Sequence, residues 1–448
     1  MRLGIDFGTT RTVVACSDRG NHPVVEFADD AGDSRDHIPS MVAEREGELR
    51  FGLDALAVAD DPTFTVLRSF KRLLAGGPAA RVLVGRSEHR VDAIVAGFLG
   101  HVRDALLTRA TVRRKLAAQA ELRVAVGVPA NAHAAQRLIT LEAFRRAGFA
   151  VDAIVNEPSA AGFEYTHRHR ATLTSRRDLV VVYDLGGGTF DASIVRMVGL
   201  HHEVLATAGV TRLGGDDFDA VLARMALAAA GFEPPPRRSV VHTLERSESS
   251  DDTPDRGWSR WMDQCRAAKE GISANTRKIA LDLAAAFGDG VAKSEVTVSV
   301  AAFYEACAPL VGRSLEAMAP LLGRAEAEGA ADEIAGLYVV GGGSELPLVG
   351  RALRERFGRR VHRSPYPSAA VAIGLSIACE EGAPFQLVDR YSRTFGVFRE
   401  ADDGRDIVLD AIFGRDAVLP TAGAPAVRTR EYRPKHNIGH YRFVECDA

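Results

Sequence analysis

The sequence predicts an α/β protein of two duplicated lobes, followed by a small β module. Three observations carry that prediction. Two glycine turns, Asp6-Phe7-Gly8-Thr9-Thr10 and Asp184-Leu185-Gly186-Gly187-Gly188-Thr189, each stand between apolar strand runs, a domain-sized interval apart. At 448 residues the chain exceeds what a single hydrophobic core organises. From residue 383 onward, alternation of strand and helix signals gives way to short apolar runs broken by Gly, Pro and Asp.

The elements follow in order. Strands are expected at 2–7, 12–16 and 24–27, then a charged helical stretch that takes in residues 64–74 and 92–108. A buried strand at 123–128 stops at Pro129, and a helix starts near Asn131 with Leu138, Leu141 and Phe144 as its apolar face. A short strand at 153–155 leads into Asn156-Glu157-Pro158-Ser159 and another helix. The run 180–183 suits a strand buried on both faces and opens the second lobe. That lobe repeats the plan: glycine turn, strand, a strand at 204–208, and a helix from Asp216. A Pro-, Ser- and charge-rich stretch at 233–257 reads as an exposed insertion. Helix 260–273, strands 278–283 and 296–300, and a long helix 303–328 come next. A strand at 337–340 runs into Gly341-Gly342-Gly343-Ser344, and helices are expected at 347–357 and 369–381.

Composition narrows the function classes. The chain is 46% hydrophobic and 26% charged with net charge −3, so it has no electrostatic footprint for nucleic acid. No apolar run is long enough to span a bilayer, and a membrane partner is not expected. The five cysteines lack C-x-x-C spacing and read as free thiols of a reducing compartment. The first strand begins at Arg2, which leaves no room for a leader peptide, so the expectation is a soluble cytoplasmic protein.

The chemistry concentrates in the glycine turns. Glycine lets a backbone turn sharply and come close to an anion, and successive N–H groups there form an anion-binding concavity. Gly8, Thr9 and Thr10 on one side and Gly186, Gly187, Gly188 and Thr189 on the other would grip phosphates from two directions. Asp6 and Asp184 each end a buried strand, where an unpaired carboxylate is costly; a hydrated magnesium at the phosphates relieves that cost. Glu157, at a helix start facing the same place, is either a helix N-terminal charge or a residue that positions water. Lys71 read alone is a solvated lysine. Lys269 and Ser273, four residues apart on one expected helix, could form a nucleoside rim or face solvent. Gly341, Gly342, Gly343 and Ser344 form either a turn that packs on a flat base or a plain strand-to-helix loop.

Four motifs then converge on a family. Gly4-Ile5-Asp6-Phe7-Gly8-Thr9-Thr10, Asn156-Glu157-Pro158-Ser159-Ala160-Ala161, the second glycine turn with Phe190-Asp191, and Leu213-Gly214-Gly215-Asp216-Asp217-Phe218-Asp219 resemble the signatures of DnaK-type chaperones, the heat-shock protein 70 family. The resemblance implies the actin-like ATPase fold, two duplicated ribonuclease H-like lobes around a cleft for ATP or ADP with Mg2+. It implies a nucleotide domain over 1–382, with lobe I at 1–177 and 366–382 and lobe II at 178–365. An outer subdomain at 219–302, a linker at 383–390 and a partial substrate-binding-like β module at 391–448 complete the expected division.

Carried over by position, Asp6, Glu157 and Asp184 would organise magnesium and attacking water. Lys71, in Lys71-Arg72-Leu73-Leu74, would orient the water, and Thr189 would assist catalysis. Gly214, Gly215, Lys269 and Ser273 would complete the nucleotide contacts, and Pro129 and Arg137 match a switch proline and relay arginine. Glu345 stands where the family places an arginine beside the adenine, and Ser368 where it places an aspartate; Arg11 and Glu270 depart as well. Leu387-Val388-Asp389 resembles a shortened hydrophobic linker, and Thr394-Phe395-Gly396-Val397 the opening strand of the peptide-binding β-domain. The remaining length gives about half of that domain and no helical lid. The implied function is a slow ATPase that couples nucleotide state to an unfolded or extended polypeptide, with a co-chaperone or exchange factor as further partner. The competing readings are a small-metabolite kinase of the same superfamily, a filament-forming relative, and a nucleotide sensor that does not hydrolyse.

Overall fold

The structure, a computed structural model, describes all residues except 62, 78, 131, 170–171, 200, 234–255, 289–292, 328, 381–385, 392, 416, 421–424, 434–440 and 447–448. The expected insertion at 233–257, apart from its ends, and the expected helix start at Asn131 therefore lie outside the described residues.

Two sheets repeat one plan. In the first, Leu3–Phe7 pairs in parallel with Leu122–Val128, which pairs in parallel with Phe149–Asn156; on its other side it forms a hairpin with Arg11–Cys16. In the second, Leu179–Leu185 pairs in parallel with Ile334–Val340 and forms a hairpin with Phe190–Val198, which pairs with His201–Val210. Both glycine turns are the tips of those hairpins, so each projects from the same edge of its sheet. The strand Leu179–Leu185 is buried at every position, as its unbroken apolar run requires between two layers.

Helices cover both faces of each sheet. Val91–Thr108 and Ala134–Arg146 pack with the outer face of the first, around Phe7, Phe70, Phe98 and Phe144. Gly215–Ala230 and Val300–Ala327 do the same for the second, around Tyr183, Phe190 and Phe218. Between the sheets run Glu157–His169 and Ala370–Ala378, whose two apolar faces belong to separate clusters, one on each sheet. These helices touch backbone to backbone: a Cβ on Gly374 would lie 1.7 Å from the carbonyl oxygen of Ala160. Only glycine permits that crossing.

Several expectations need correction. The helix expected across 64–74 is a strand, Thr65–Arg68, followed by a 3-10 turn, Phe70–Gly76. The hairpins Met41–Arg45 with Glu48–Phe51 and Arg81–Val84 with Ser87–Arg90 are not among the expected strands, because each strand is only four or five residues long, too short for a periodic signal. Leu138 is 62% exposed, and the buried face of its helix is Ile139, Ala143 and Phe144 instead. The helix expected to reach Ser273 ends at Glu270.

The C-terminal region is β-type, as its punctuation predicts. Thr394–Ala401 is the central strand of three, flanked by Asp406–Phe413 and Arg442–Cys446. Part of the expected linker is itself a strand: Gln386–Val388 adds in parallel to His201–Val210 at the edge of the second sheet. Among the described residues no helix is long and apolar enough to cross a membrane. The five cysteines are free, four of them buried.

Candidate functional site

The two glycine turns face each other across a cleft. A Cβ on Gly187 would lie 2.5 Å from Thr10 Oγ1, and one on Gly188 would lie 2.9 Å from Thr9 Oγ1. The third motif closes in from the side, since a Cβ on Gly214 would lie 2.6 Å from the backbone of Gly187. Gly215 and Asp216 donate their N–H groups to the carbonyls of Gly186 and Gly187, at 3.0 and 2.8 Å. Gly186 in turn donates its N–H to Thr189 O at 3.0 Å, which sets the hairpin tip. The fourth segment is as tight: a Cβ on Gly341 would sit 2.4 Å from Asp184 Oδ1, and one on Gly343 2.6 Å from Gly186 O. Gly187, Gly188, Gly214, Gly341 and Gly343 are thus positions that a side chain would fill.

At the floor of the cleft acidic groups outnumber the cation. Lys71 Nζ donates to Glu157 Oε1 at 3.0 Å and lies 5.4 Å from the Phe7 ring centre. Lys71 reaches this position through Ser69, which holds a left-handed backbone (φ 55°) ahead of the 3-10 turn. Asp184 and Asp191 are register partners across the second hairpin. Burial first, then repulsion by Glu157, pushes the Asp6 carboxyl up to about 7 against the pull of Lys71. Asp184 is raised by burial and by Glu157, Asp6 and Asp191 together. Burial alone would lower Lys71, yet Glu157 and Asp6 raise it. Carboxylates held this way favour a cation, which would lower both aspartates back into their ionised range. Among the described residues no three His, Cys, Asp or Glu side chains converge as direct metal ligands. The donor set thus fits a magnesium that keeps its waters and phosphate oxygens and takes few protein ligands.

The cleft is strapped on its open flank by polar contacts between the lobes. Arg68 pairs with Asp263 at 2.6 Å, and Ser69 Oγ donates to Asp216 at 2.8 Å. Arg72 Nη2 donates to Gly188 O at 2.9 Å and pairs with Asp217 at 3.4 Å. These arginines carried no sequence signal, because their partners come from the other lobe. Farther along, Arg11 pairs with Glu270 at 2.5 Å.

The expected nucleoside rim is partly rearranged. Lys269 is tied to Asp219 at 2.7 Å and to Gly215 O at 2.9 Å. Ser273, beyond the helix end, pairs with Thr276 and not with the Lys269 face. Ser344 is buried and donates to Gly341 O at 2.7 Å, and Ser368 lies beside Gly342.

A second set of contacts leads away from the floor. Arg137 Nη2 donates to Asn156 Oδ1 at 2.6 Å and also reaches the carbonyls of Pro129 and Ala130. Asn156 Nδ2 donates to Asp389 Oδ2 at 2.5 Å. Asp389 belongs to the expected linker, and Asn156 directly precedes Glu157, so the two expected switch residues, the floor and the linker are contiguous. Burial raises the Asp389 carboxyl. The C-terminal sheet touches the same region, where Ala134 N–H donates to Glu445 at 2.9 Å.

Comparison with known proteins agrees with this geometry. The family model described as Hsp70 protein matches residues 2–397. The chain is 31% identical over 451 residues to a chaperone protein HscA homolog of Pseudomonas fluorescens, covering 95% of this chain and 65% of the relative. It is 35% identical to chaperone protein HscA of Escherichia coli, covering 85% of this chain and 58% of the relative. A Burkholderia multivorans homolog is 31% identical over 96% of this chain and 66% of its own length. The chain thus spans about three-fifths to two-thirds of the length of these curated relatives. With two duplicated α/β lobes, facing glycine turns and a family match across most of its length, this chain belongs to the Hsp70 family.

Proposed function

We propose that the chain is an ATP-dependent, DnaK-like chaperone that hydrolyses ATP slowly and couples nucleotide state to holding an unfolded or extended polypeptide. The observation that carries this reading is the convergence of Lys71, Glu157, Asp6 and Asp184 beneath two glycine turns that face each other. In it, Gly8, Thr9, Thr10 and Gly186 to Thr189 hold the phosphates through backbone N–H groups and hydroxyls. Asp6 and Asp184 would hold magnesium through its waters, and the ion would supply charge neutralisation at the phosphates. Lys71, held by its hydrogen bond to Glu157, orients the attacking water together with Glu157, and its ammonium offsets charge that builds on the transferred phosphoryl group. Such chemistry needs positioning and charge more than covalent help.

Coupling runs through Arg137, Asn156 and Asp389. A movement of Glu157 with the γ-phosphate shifts its neighbour Asn156, which holds the linker by one short hydrogen bond. We place the domain boundary at this linker, with the nucleotide domain before it and the β module after it. Exposed Phe398, Ile407, Tyr441 and Phe443 give that module apolar surface suited to an extended chain. A co-chaperone or exchange factor is the expected further partner, and the cytoplasm the expected compartment. Family membership disfavours the kinase reading.

The test is single-turnover hydrolysis of ATP with magnesium, reading free phosphate with and without an unfolded peptide. Slow phosphate release that peptide accelerates supports the reading. Hydrolysis that ignores peptide removes the coupling, and nucleotide binding without hydrolysis leaves only a sensor.

A further inference from the structure

Glu164 is fully buried, yet it takes no part in the floor of the cleft. It stands two helical turns after Glu157 on the helix Glu157–His169, about 10 Å further along the axis. Arg168 Nε, one turn on, donates to its Oε1. Outside its own helix it meets the second sheet, where Tyr338 Oη donates to Oε2 and Ser364 Oγ donates as well. Tyr338 lies on the strand Ile334–Val340, and Ser364 is fixed to that strand by its N–H to Val339 O at 3.1 Å. The strand runs directly into the Gly341 turn, where a Cβ would sit 2.4 Å from Asp184 Oδ1. One carboxyl thus fastens the helix that begins with Glu157 to the strand that ends in the cradle.

The titratable groups around it are few. On its own helix stand Tyr165, Arg168 and His169; Arg168 also lies 5.3 Å from the Tyr366 ring centre. The strand Val361–Arg363 brings His362 to 5.4 Å from the His169 ring, while Arg363 turns away to Ser344 O. His202 meets Thr166 on the opposite side of the helix, at 2.9 Å. Val180, Val182 and Ala370, packed in the same cluster as Tyr338, are uncharged. Burial lowers His169 and His362 from the ordinary 6.5, so above that value both are neutral. Burial pushes the Glu164 carboxyl up to about 7, against the pull of Arg168 and Ser364. Two of its partners are hydroxyls, which donate to a carboxylate or accept from a carboxylic acid. The fastening therefore survives in both forms, but only the ionised form carries a buried charge. Any parting that admits water returns this carboxyl toward its ordinary 4.5. Parting is thus favoured progressively as pH rises from 4.5 to about 7, and gains little more above it.

We propose that Glu164 is a positioning residue for hydrolysis: with Tyr338 and Ser364 it locks the Glu157 helix to the strand that feeds the Gly341 turn, and the lock tightens when the carboxyl takes up a proton. The inference rests on the hydrolysis reading above and adds to it a residue remote from the cleft. A slip of the helix along this strand moves Glu157 relative to Asp184, and with it the place of the attacking water. The glycine turns that hold the phosphates stay where they are. Turnover is therefore what the lock sets, and nucleotide affinity is not.

The experiment is single-turnover hydrolysis by the full chain at saturating ATP and magnesium, from about pH 6.5 to about pH 8, with ADP affinity measured alongside. Glu164→Gln keeps both hydrogen-bonding ends and cannot ionise, so it stands in for the protonated lock. Native turnover divided by that of Glu164→Gln should fall about threefold across the range, against a ceiling of about fourfold for one such carboxyl. The ratio cancels the titration of Asp6, which both chains share. Tyr338→Phe removes one donor and should lower turnover about five- to tenfold while ADP affinity stays within about twofold. A ratio that is constant or rises with pH overturns the inference and leaves hydrolysis standing, and native turnover in Tyr338→Phe does the same. Turnover and ADP affinity falling together in Tyr338→Phe make the cluster a structural support and overturn the positioning role. No free phosphate from the native chain at any pH overturns the hydrolysis reading, and this inference with it.

Discussion

The two ends of the cleft handle charge in opposite ways. At the phosphate end, three carboxylates share a single lysine, and burial raises Asp6 and Asp184 because nothing in the protein compensates them fully. At the other end, Arg11, Lys269 and Ser273 have each found a partner within the protein. An uncompensated cluster is poised for a ligand, since the ligand supplies what is missing. A compensated one gains little from any ligand, because each new bond replaces an existing one.

The sharpest way to break this contrast is at Lys71. Lys71→Met should lower single-turnover hydrolysis by about 10²-fold or more while nucleotide affinity changes little. Wild-type turnover in that variant would mean the floor is structural. Next comes the cradle itself: Gly187→Ala puts a Cβ 2.5 Å from Thr10 Oγ1, and nucleotide affinity should fall about tenfold with the fold retained. Calorimetric titration with ADP and magnesium measures it, and unchanged affinity would show that the turns do not grip phosphate.

The linker contact should show a smaller effect. Asp389→Ala removes the acceptor for Asn156, and protease cleavage within the linker should quicken about three- to tenfold in the nucleotide-bound chain. Equal cleavage would mean that the pairing of Gln386–Val388 with the second sheet suffices without it. The straps Arg68–Asp263 and Arg72–Asp217 are partly exposed ion pairs. Raising salt should therefore speed ADP release by a few-fold, and Asp263→Ala should flatten that dependence.

Protonation gives the last and smallest test. The folded Asp6 carboxyl sits near 7 against an ordinary 3.8, so between those values the native state binds a proton that the unfolded chain has released. Stability of the ligand-free chain therefore falls as pH rises through that window. Thermal midpoints measured from about pH 5 to about pH 8 should show a shallower decline in Asp6→Asn than in the native chain. Saturating magnesium and ADP should flatten the native profile too, since a bound cation restores the ionised form. An identical slope in all three would remove Asp6 from the account.

Much of the geometry of the candidate site is legible in the sequence. The hairpin–turn–hairpin plan was legible in both lobes because buried strands read as unbroken apolar runs and their turns as glycine clusters. The Glu157 helix and the Gly341 turn were legible for the same reason. Strands such as Glu48–Phe51 and Ser87–Arg90 were not, because the first alternates over only four residues and the second carries no apolar residue. Lys269 and Ser273 were misassigned to a shared helix face, since a helix end depends on one or two residues of local geometry.

By itself, then, the sequence determined the two repeated sheets, the glycine turns, the acidic floor and the β character of the C-terminal region. Each of these is written in contiguous residues whose conformational preferences are local. Only the tertiary structure decided which charges meet: Arg72 with Gly188, Arg11 with Glu270, Asn156 with Asp389. Those pairs join residues far apart in the chain. A side chain's partner is set by where its backbone is carried, and no local preference encodes that.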